Sequence, residues 1–160
     1  MFRLTFFRIA ALAAFIVLGT NAAQASCSLP DGAQSFANQM AASMNAARQS
    51  NGLPPLQYDR RLGQAAMVHA CDMQVNGFFD HKGSDGSNSH IRAERAGFRS
   101  CQTSENIAFG YPTAQIVVDG WMNSAGHRRN MLSTGVNTFG IGLAYAPGGP
   151  YAVLVLGRTC

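Results

Sequence analysis

Between Phe139 and Val155 the chain alternates with period two on both sides of Pro147-Gly148-Gly149-Pro150. Phe139, Ile141, Leu143 and Tyr145 fall on one face of an extended segment, and Tyr151, Val153 and Val155 on one face of the next. Four successive Gly and Pro residues allow only a tight reversal between them, so an antiparallel hairpin is predicted. A hairpin is marginal by itself in water, and its apolar face demands a covering layer.

The earlier half supplies that layer. From Gln34 to Gln49, Phe36, Met40, Met44 and Ala47 recur at helical spacing before Asn51-Gly52. Leu53-Pro54-Pro55-Leu56 cannot extend this helix, because proline lacks the amide donor and restricts the residue before it. Asp59 is placed to cap a second helix with Leu62, Ala65, Ala66, His69 and Met73 on one side, ending near Asn76-Gly77. Asp80 to Ser89 reads as loop, followed by a short helix to Ala96. Glu105 to Phe109 reads as a short buried strand. Pro112 is expected to open a helix that turns Ile116, Val117, Trp121 and Met122 inward and ends at Ala125-Gly126, leaving His127 in a turn. Helices first and strands last make the fold class α+β, with a small antiparallel sheet covered by helices.

The first residues carry Arg3 and Arg8, an apolar run from Ile9 to Leu18 and the small-residue pattern Ala23-Gln24-Ala25. This is the form of a secretory signal peptide spanning 1–25 and cleaved after Ala25, leaving 26–160 as a single domain. The apolar run is short of the roughly 20 residues that span a bilayer, and no transmembrane segment is expected once the leader is gone. Arg3 and Arg8 leave with it, so the formal charge of +4 falls by two and no nucleic-acid partner is implied. Cys27, Cys71, Cys101 and Cys160 all lie beyond the leader, and an even number in an exported chain points to two disulfides. Chain ends often lie close together, which favours Cys27 with Cys160 and Cys71 with Cys101 among the three possible pairings.

Three titratable residues adjoin apolar or tightly turning backbone: His81 in FFDHKG, Glu105 in SENIAFG and His127 in SAGHRRNM. Imidazole and carboxylate are ligand types that a divalent metal such as zinc accepts, and three protein ligands plus water is the open geometry of catalytic zinc. The alternative for Glu105 is a structural carboxylate that pins loops together, since burying it unpaired is costly. His69 reads as a packed histidine and His90 as a surface or capping residue, both outside the site. GIGLAY at Gly140 lies within a strand and opens no helix, so it is not a dinucleotide loop.

Five stretches in order, MNAARQSNGLPPLQYDRRLGQAAMVHACDM, FFDHKGSDGS, SENIAFG, WMNSAGHRRNML and GIGLAYA, resemble the CAP superfamily in its exported bacterial branch. This is the domain shared by sperm-coating proteins, plant pathogenesis-related proteins and cysteine-rich secretory proteins. The resemblance implies a three-layer α-β-α sandwich with a cleft where two histidines and two acidic residues meet. His81, Glu105 and His127 match three of these positions. The fourth, a glutamate three residues after the helix tryptophan, is Ser124 here. The family's H-N-x-x-R signature stands as Met44 to Arg48, keeping Asn45 and Arg48.

The resemblance implies a binding module for a lipid, sterol or cell-envelope ligand, its His/Glu cleft able to hold zinc; the leader makes the expected location secreted or periplasmic, and a monomer is expected. The competing reading is a metal-dependent hydrolase or protease using the same cleft. N-terminal sequencing of the exported protein should begin at Ser26; a first residue elsewhere would refute the cleavage site.

Overall fold

The structure, a computed structural model, describes Cys27, Leu29 and residues 31–160, so the leader expected over 1–25 lies outside the described residues. The elements run α1 (Ala33–Ser50), β1 (Gln57–Tyr58), α2 (Arg60–Asn76), α3 (Ser89–Arg95), β2 (Ser100–Phe109), α4 (Ala114–Asn123), α5 (Ala125–Met131), β3 (Thr138–Ala146) and β4 (Gly149–Thr159). Four strands form one sheet in the order β1-β3-β4-β2. β3 and β4 are the antiparallel hairpin read from the sequence, and Ala146 pairs with Gly149 across its turn.

The two-residue period of the strands sends alternate side chains to two separate cores. Phe139, Leu143, Leu154 and Leu156 meet Met40 and Met44 of α1, Val117 and Trp121 of α4, and Met131 of α5. Ile107, Val153 and Val155 meet Leu62, Ala66 and Met73 of α2, with Ala93 of α3. The result is a three-layer α-β-α sandwich, with α1, α4 and α5 on one face and α2 and α3 on the other.

Several boundaries differ from the sequence reading, each for a local reason. β1 is a two-residue strand parallel to β3, so the sheet is not wholly antiparallel; its two residues carry no period to read. β2 begins at Ser100, because its polar first half pairs with β4 along the edge without needing apolar side chains. α4 starts after Pro112: Thr113 is its N-cap, its hydroxyl accepting from the Ile116 amide. Gly126 does not end the helical path. The extended backbone of Ser124 (φ −103°, ψ 120°) breaks it one step earlier, and a separate helix, α5, resumes with His127 in its first turn.

The disulfide pairing expected from the chain ends is overturned. Cys27 is bridged to Cys71 on α2, with 5.2 Å between Cα atoms, and Cys101 to Cys160, with 4.9 Å. The sheet dictates the second bridge: β2 and β4 are paired from Ser100 and Thr159 onward, which brings Cys101 beside Cys160, while Cys27 packs against the core on the α2 side.

Asn45 and Arg48 act as fasteners for irregular backbone. The Asn45 amide donates to the Leu56 carbonyl at 3.1 Å and accepts from the Leu56 amide at 2.9 Å, closing the proline elbow. Arg48 is 1% exposed and donates to three carbonyls, of Pro54, Met131 and Ser133. Two of these lie at and just beyond the end of α5, so Arg48 ties that helix to α1. Burial pushes its guanidinium below its usual value.

Gly140 and Gly142 of the GIGLAY stretch let α2 lie directly on β3. A Cβ at Gly142 would overlap backbone atoms of Ala66 and Met67, and one at Gly140 those of Leu62 and Gly63. Backbone cannot swing aside as a side chain can, so Gly142→Val should cost about 3 kcal/mol of stability. Denaturant unfolding measures this, and a loss below about 1 kcal/mol would contradict the close packing.

Candidate functional site

β2 is an edge strand, and its outward carbonyls need partners if they are to lie under helices. Asn130 of α5 donates to the Glu105 carbonyl at 3.2 Å, and the Trp121 indole N–H of α4 to the Ile107 carbonyl at 3.2 Å. Side chains thus seal the edge where a further strand would otherwise pair. Both helical layers contact this strand, α5 from one face and α3 from the other.

Glu105 and Asn106 are consecutive, so their side chains leave β2 on opposite faces. Glu105 points to the α2/α3 layer with its side chain 3% exposed. One carboxylate oxygen, Oε2, accepts from Nη2 of Arg92 at 2.7 Å. The other, Oε1, accepts from Nδ1 of His81 at 2.9 Å and stands 3.7 Å from Nε2 of His69. Asn106 is fully buried on the other face; it donates to the His127 carbonyl at 3.1 Å and accepts from Asn130 at 2.9 Å.

His127 therefore approaches this edge from the α4/α5 layer, its ring centroid 6.4 Å from that of Trp121, and His81 approaches it from the α2/α3 side, where the resemblance places the cleft. The two imidazoles lie close enough for His81 to depress the affinity of His127 for protons. The structure thus brings together His81, Glu105 and His127 at one edge. Ser124, at the break between α4 and α5, makes no side-chain cap bond there and adds no carboxylate to the set.

Sequence reasoning missed four members of this cluster. His69 is fully buried but not outside the site: its Nε2 donates to the Asp80 carbonyl at 2.9 Å, beside Glu105. Arg92, Asn106 and Asn130 complete the set. The only available signal was weak: Arg92 stands between Ile91 and Ala93 in HIRAE, Asn106 precedes Ile107 in ENIAF, and Asn130 precedes Met131 in RRNML. His90 is exposed on α3, as expected of a surface histidine.

The histidines are driven apart electrostatically. The hydrogen bond to Glu105 pushes His81 above the ordinary imidazole value, against a smaller opposing effect of burial. Burial, then the His81 charge, pushes His127 below it. Burial also pushes His69 down, and Glu105 only partly offsets this. Two neighbouring groups with opposed proton affinities are an arrangement suited to acid-base chemistry.

The three expected metal ligands do not form a ligating trio. Both Glu105 oxygens are engaged by Arg92 and His81, and among the described residues no group of three or more His, Cys, Asp or Glu side chains is arranged to hold a metal ion. The donors facing outward are two imidazoles, fewer than the three protein ligands of a catalytic zinc site.

Apolar space lies elsewhere. A groove of about 630 Å³ runs between α1 and α2 along the β3 side of the sheet, opposite the β2 edge, lined by Ala37, Ala41, Met67, Ile141 and Leu143 and rimmed by exposed Leu29 and Tyr58. Arg60 is the one charged side chain among the described residues lining it.

Residues 42–157 match the CAP family, the cysteine-rich secretory protein family, and the chain belongs to it. YkwD of Bacillus subtilis is 34% identical over 115 residues, which are 72% of this chain and 45% of that protein. The membrane protein YlbC of the same organism is 32% identical over 99 residues, 62% of this chain and 29% of its own length. The chain thus spans less than half the length of these curated relatives. Among solved structures, an extracellular protein containing an SCP domain from Bacillus anthracis superposes with a TM-score of 0.73 at 26% identity, over 79% of this chain and 41% of that one. An outer surface protein of Borrelia burgdorferi does so with a TM-score of 0.74 at 20% identity, over 79% and 95%, a likeness of fold alone. The family and the sandwich fold expected from the sequence are borne out.

The shifts fix the sign of the pH response. His69 and His127, depressed in the folded state, contribute stability that is present above the ordinary imidazole value near 6.5 and lost as the pH falls below it. His81, raised, contributes stability present below that value and lost as the pH rises through its folded one. Ring-proton NMR should find His81 holding its proton to a higher pH than His127 or His69; a His81 midpoint at or below that of His127 would refute the assignment.

Proposed function

We propose that this CAP domain is an exported binding module for a lipid, a sterol or another amphiphile of the cell envelope. The observation that carries this reading is the groove between α1 and α2: apolar walls from both helices and β3, with a single arginine at the rim. An apolar chain or ring system fits such walls, and one cation at the rim complements a single anionic head. Two disulfides suit an oxidising compartment, secreted or periplasmic, and no described helix is long and apolar enough to cross a membrane. The reading includes removal of the leader after Ala25 and a monomeric mature chain.

The ligand's place is then the groove, distinct from the polar cleft. The outward imidazoles of His81 and His127 are the donors a divalent ion such as zinc would meet, with Glu105 behind His81 as its hydrogen-bond partner; they fall short of a three-ligand site, and no chemical step is assigned to a metal. A second reading, a hydrolase or protease working at the cleft, is favoured by the opposed proton affinities of His81 and His127. In that role His127, the more readily deprotonated ring, takes up a proton and His81 supplies one.

Native mass spectrometry of the protein recovered from envelope extracts tests the binding reading. A bound lipid or sterol should be retained, and Ala37→Trp, which fills the groove, should reduce it by about tenfold while His81→Ala/His127→Ala leaves it unchanged. Loss in the double histidine variant alone would move the ligand to the cleft. The absence of any retained lipid, sterol or envelope fragment would refute the reading.

A further inference from the structure

The polar cleft contains a guanidinium that no motif of the sequence singled out. Arg92 sits on α3 with its side chain 3% exposed, and its one planar fork reaches three structures at once. Nη1 donates to the Ser87 carbonyl at 2.8 Å, inside the loop that follows His81. Nη2 donates both to Glu105 Oε2 at 2.7 Å and to the backbone carbonyl of His81 at 3.1 Å. The same side chain therefore holds the His81 backbone and the carboxylate that the His81 ring contacts.

We infer that Arg92 is the positioning residue of the cleft, acting through Glu105 to fix the His81 ring with its Nδ1–H turned inward and Nε2 bare toward solvent. Once Oε2 is taken by Arg92, Oε1 is the oxygen presented to His81. An oxygen paired in this way is an acceptor, so Nδ1 must carry the hydrogen, and the neutral ring has its lone pair on Nε2.

His69 braces the arrangement from α2. A carbonyl can only accept, so Nε2 of His69 must donate to Asp80, the residue immediately before His81. Two consecutive carbonyls, of Asp80 and His81, are thereby held from beneath by two buried side chains. The His81 side chain itself is 55% exposed, so the held ring presents its outer edge to whatever enters the cleft. Whether the cleft binds a ligand or moves protons, a bare Nε2 of fixed direction is what it offers. This deepens the reading of the cleft, and its test reads the ring itself, so it can fail without the ligand proposal failing.

Lysine cannot substitute for this role, because a single ammonium lacks the planar fork that spans Glu105, His81 and Ser87. The experiment is nitrogen-15 NMR of the imidazoles in the intact mature protein, at a pH above the His81 titration. In the parent protein His81 should be the Nδ1–H tautomer and His69 the Nε2–H tautomer. Arg92→Met should shift the His81 ratio toward Nε2–H by about tenfold, the equilibrium weight of one hydrogen bond to a charged group. Arg92→Lys keeps the charge and should shift the same ratio by about threefold, which carries the test should Arg92→Met not fold. Asn45→Ala, which loosens the distant proline elbow, should lower the melting temperature and leave the ratio alone. A folded Arg92 variant with an unchanged His81 tautomer would overturn the assignment and reduce Arg92 to a structural cation.

Discussion

The outer edge of β2 is the constraint around which this molecule is arranged. An edge strand lying between two helical layers must satisfy its outward carbonyls without a neighbouring strand, and here Trp121 and Asn130 do so from α4 and α5. That requirement draws both helices against the strand, and α5 brings His127 with it. Because side chains alternate along a strand, the same edge sends Glu105 to one layer and Asn106 to the other. The polar site is thus a by-product of closing a sheet edge: the α4/α5 side contributes His127, the α2/α3 side His81 with His69 beneath it, and neighbouring residues of β2 anchor His81 and His127.

Buried charge is managed in two different ways. Arg48 has no acidic partner among its hydrogen bonds and is stabilised by three carbonyls, which serves a structural purpose by fixing α5 to α1. Arg92 and Glu105 are buried together, an arrangement whose desolvation cost is large and whose net contribution to stability is often small. A chain gains little stability from such a pair beyond what apolar residues would supply. Its return is geometric, since the pair fixes which carboxylate oxygen meets His81.

The parts legible in the sequence were those in which one residue type answers to one period or one turn. The β3/β4 hairpin, the α1 and α2 faces and the Asp59 cap all came from local pattern. His81, Glu105 and His127 were legible because each is a polar group set in an apolar or turning context. Arg92 and Asn130 were not, because an arginine in SHIRAER and an asparagine in HRRNML look like solvated positions until the tertiary fold buries them. His69 was read as packed, which it is, but its proximity to Glu105 depends on the loop from Asp80 folding back over α2. The disulfides were mispaired because proximity of chain ends was used where strand pairing decides, and the polar first half of β2 gave no period from which to read that pairing.

The bridge between Cys101 and Cys160 lies beside the first paired residues of β2 and β4, four residues ahead of Glu105. A strand displaced by a single position would exchange its faces, driving the carboxylate among the methionines and leucines of one core and the Asn106 amide toward Arg92 in the other. The covalent link, beside the irregularity between Ser100 and Gln102, holds the start of the pairing from which that reading frame runs. A cross-link that looks like a simple clasp at the rim of the sheet also sorts two adjacent polar side chains into their proper compartments.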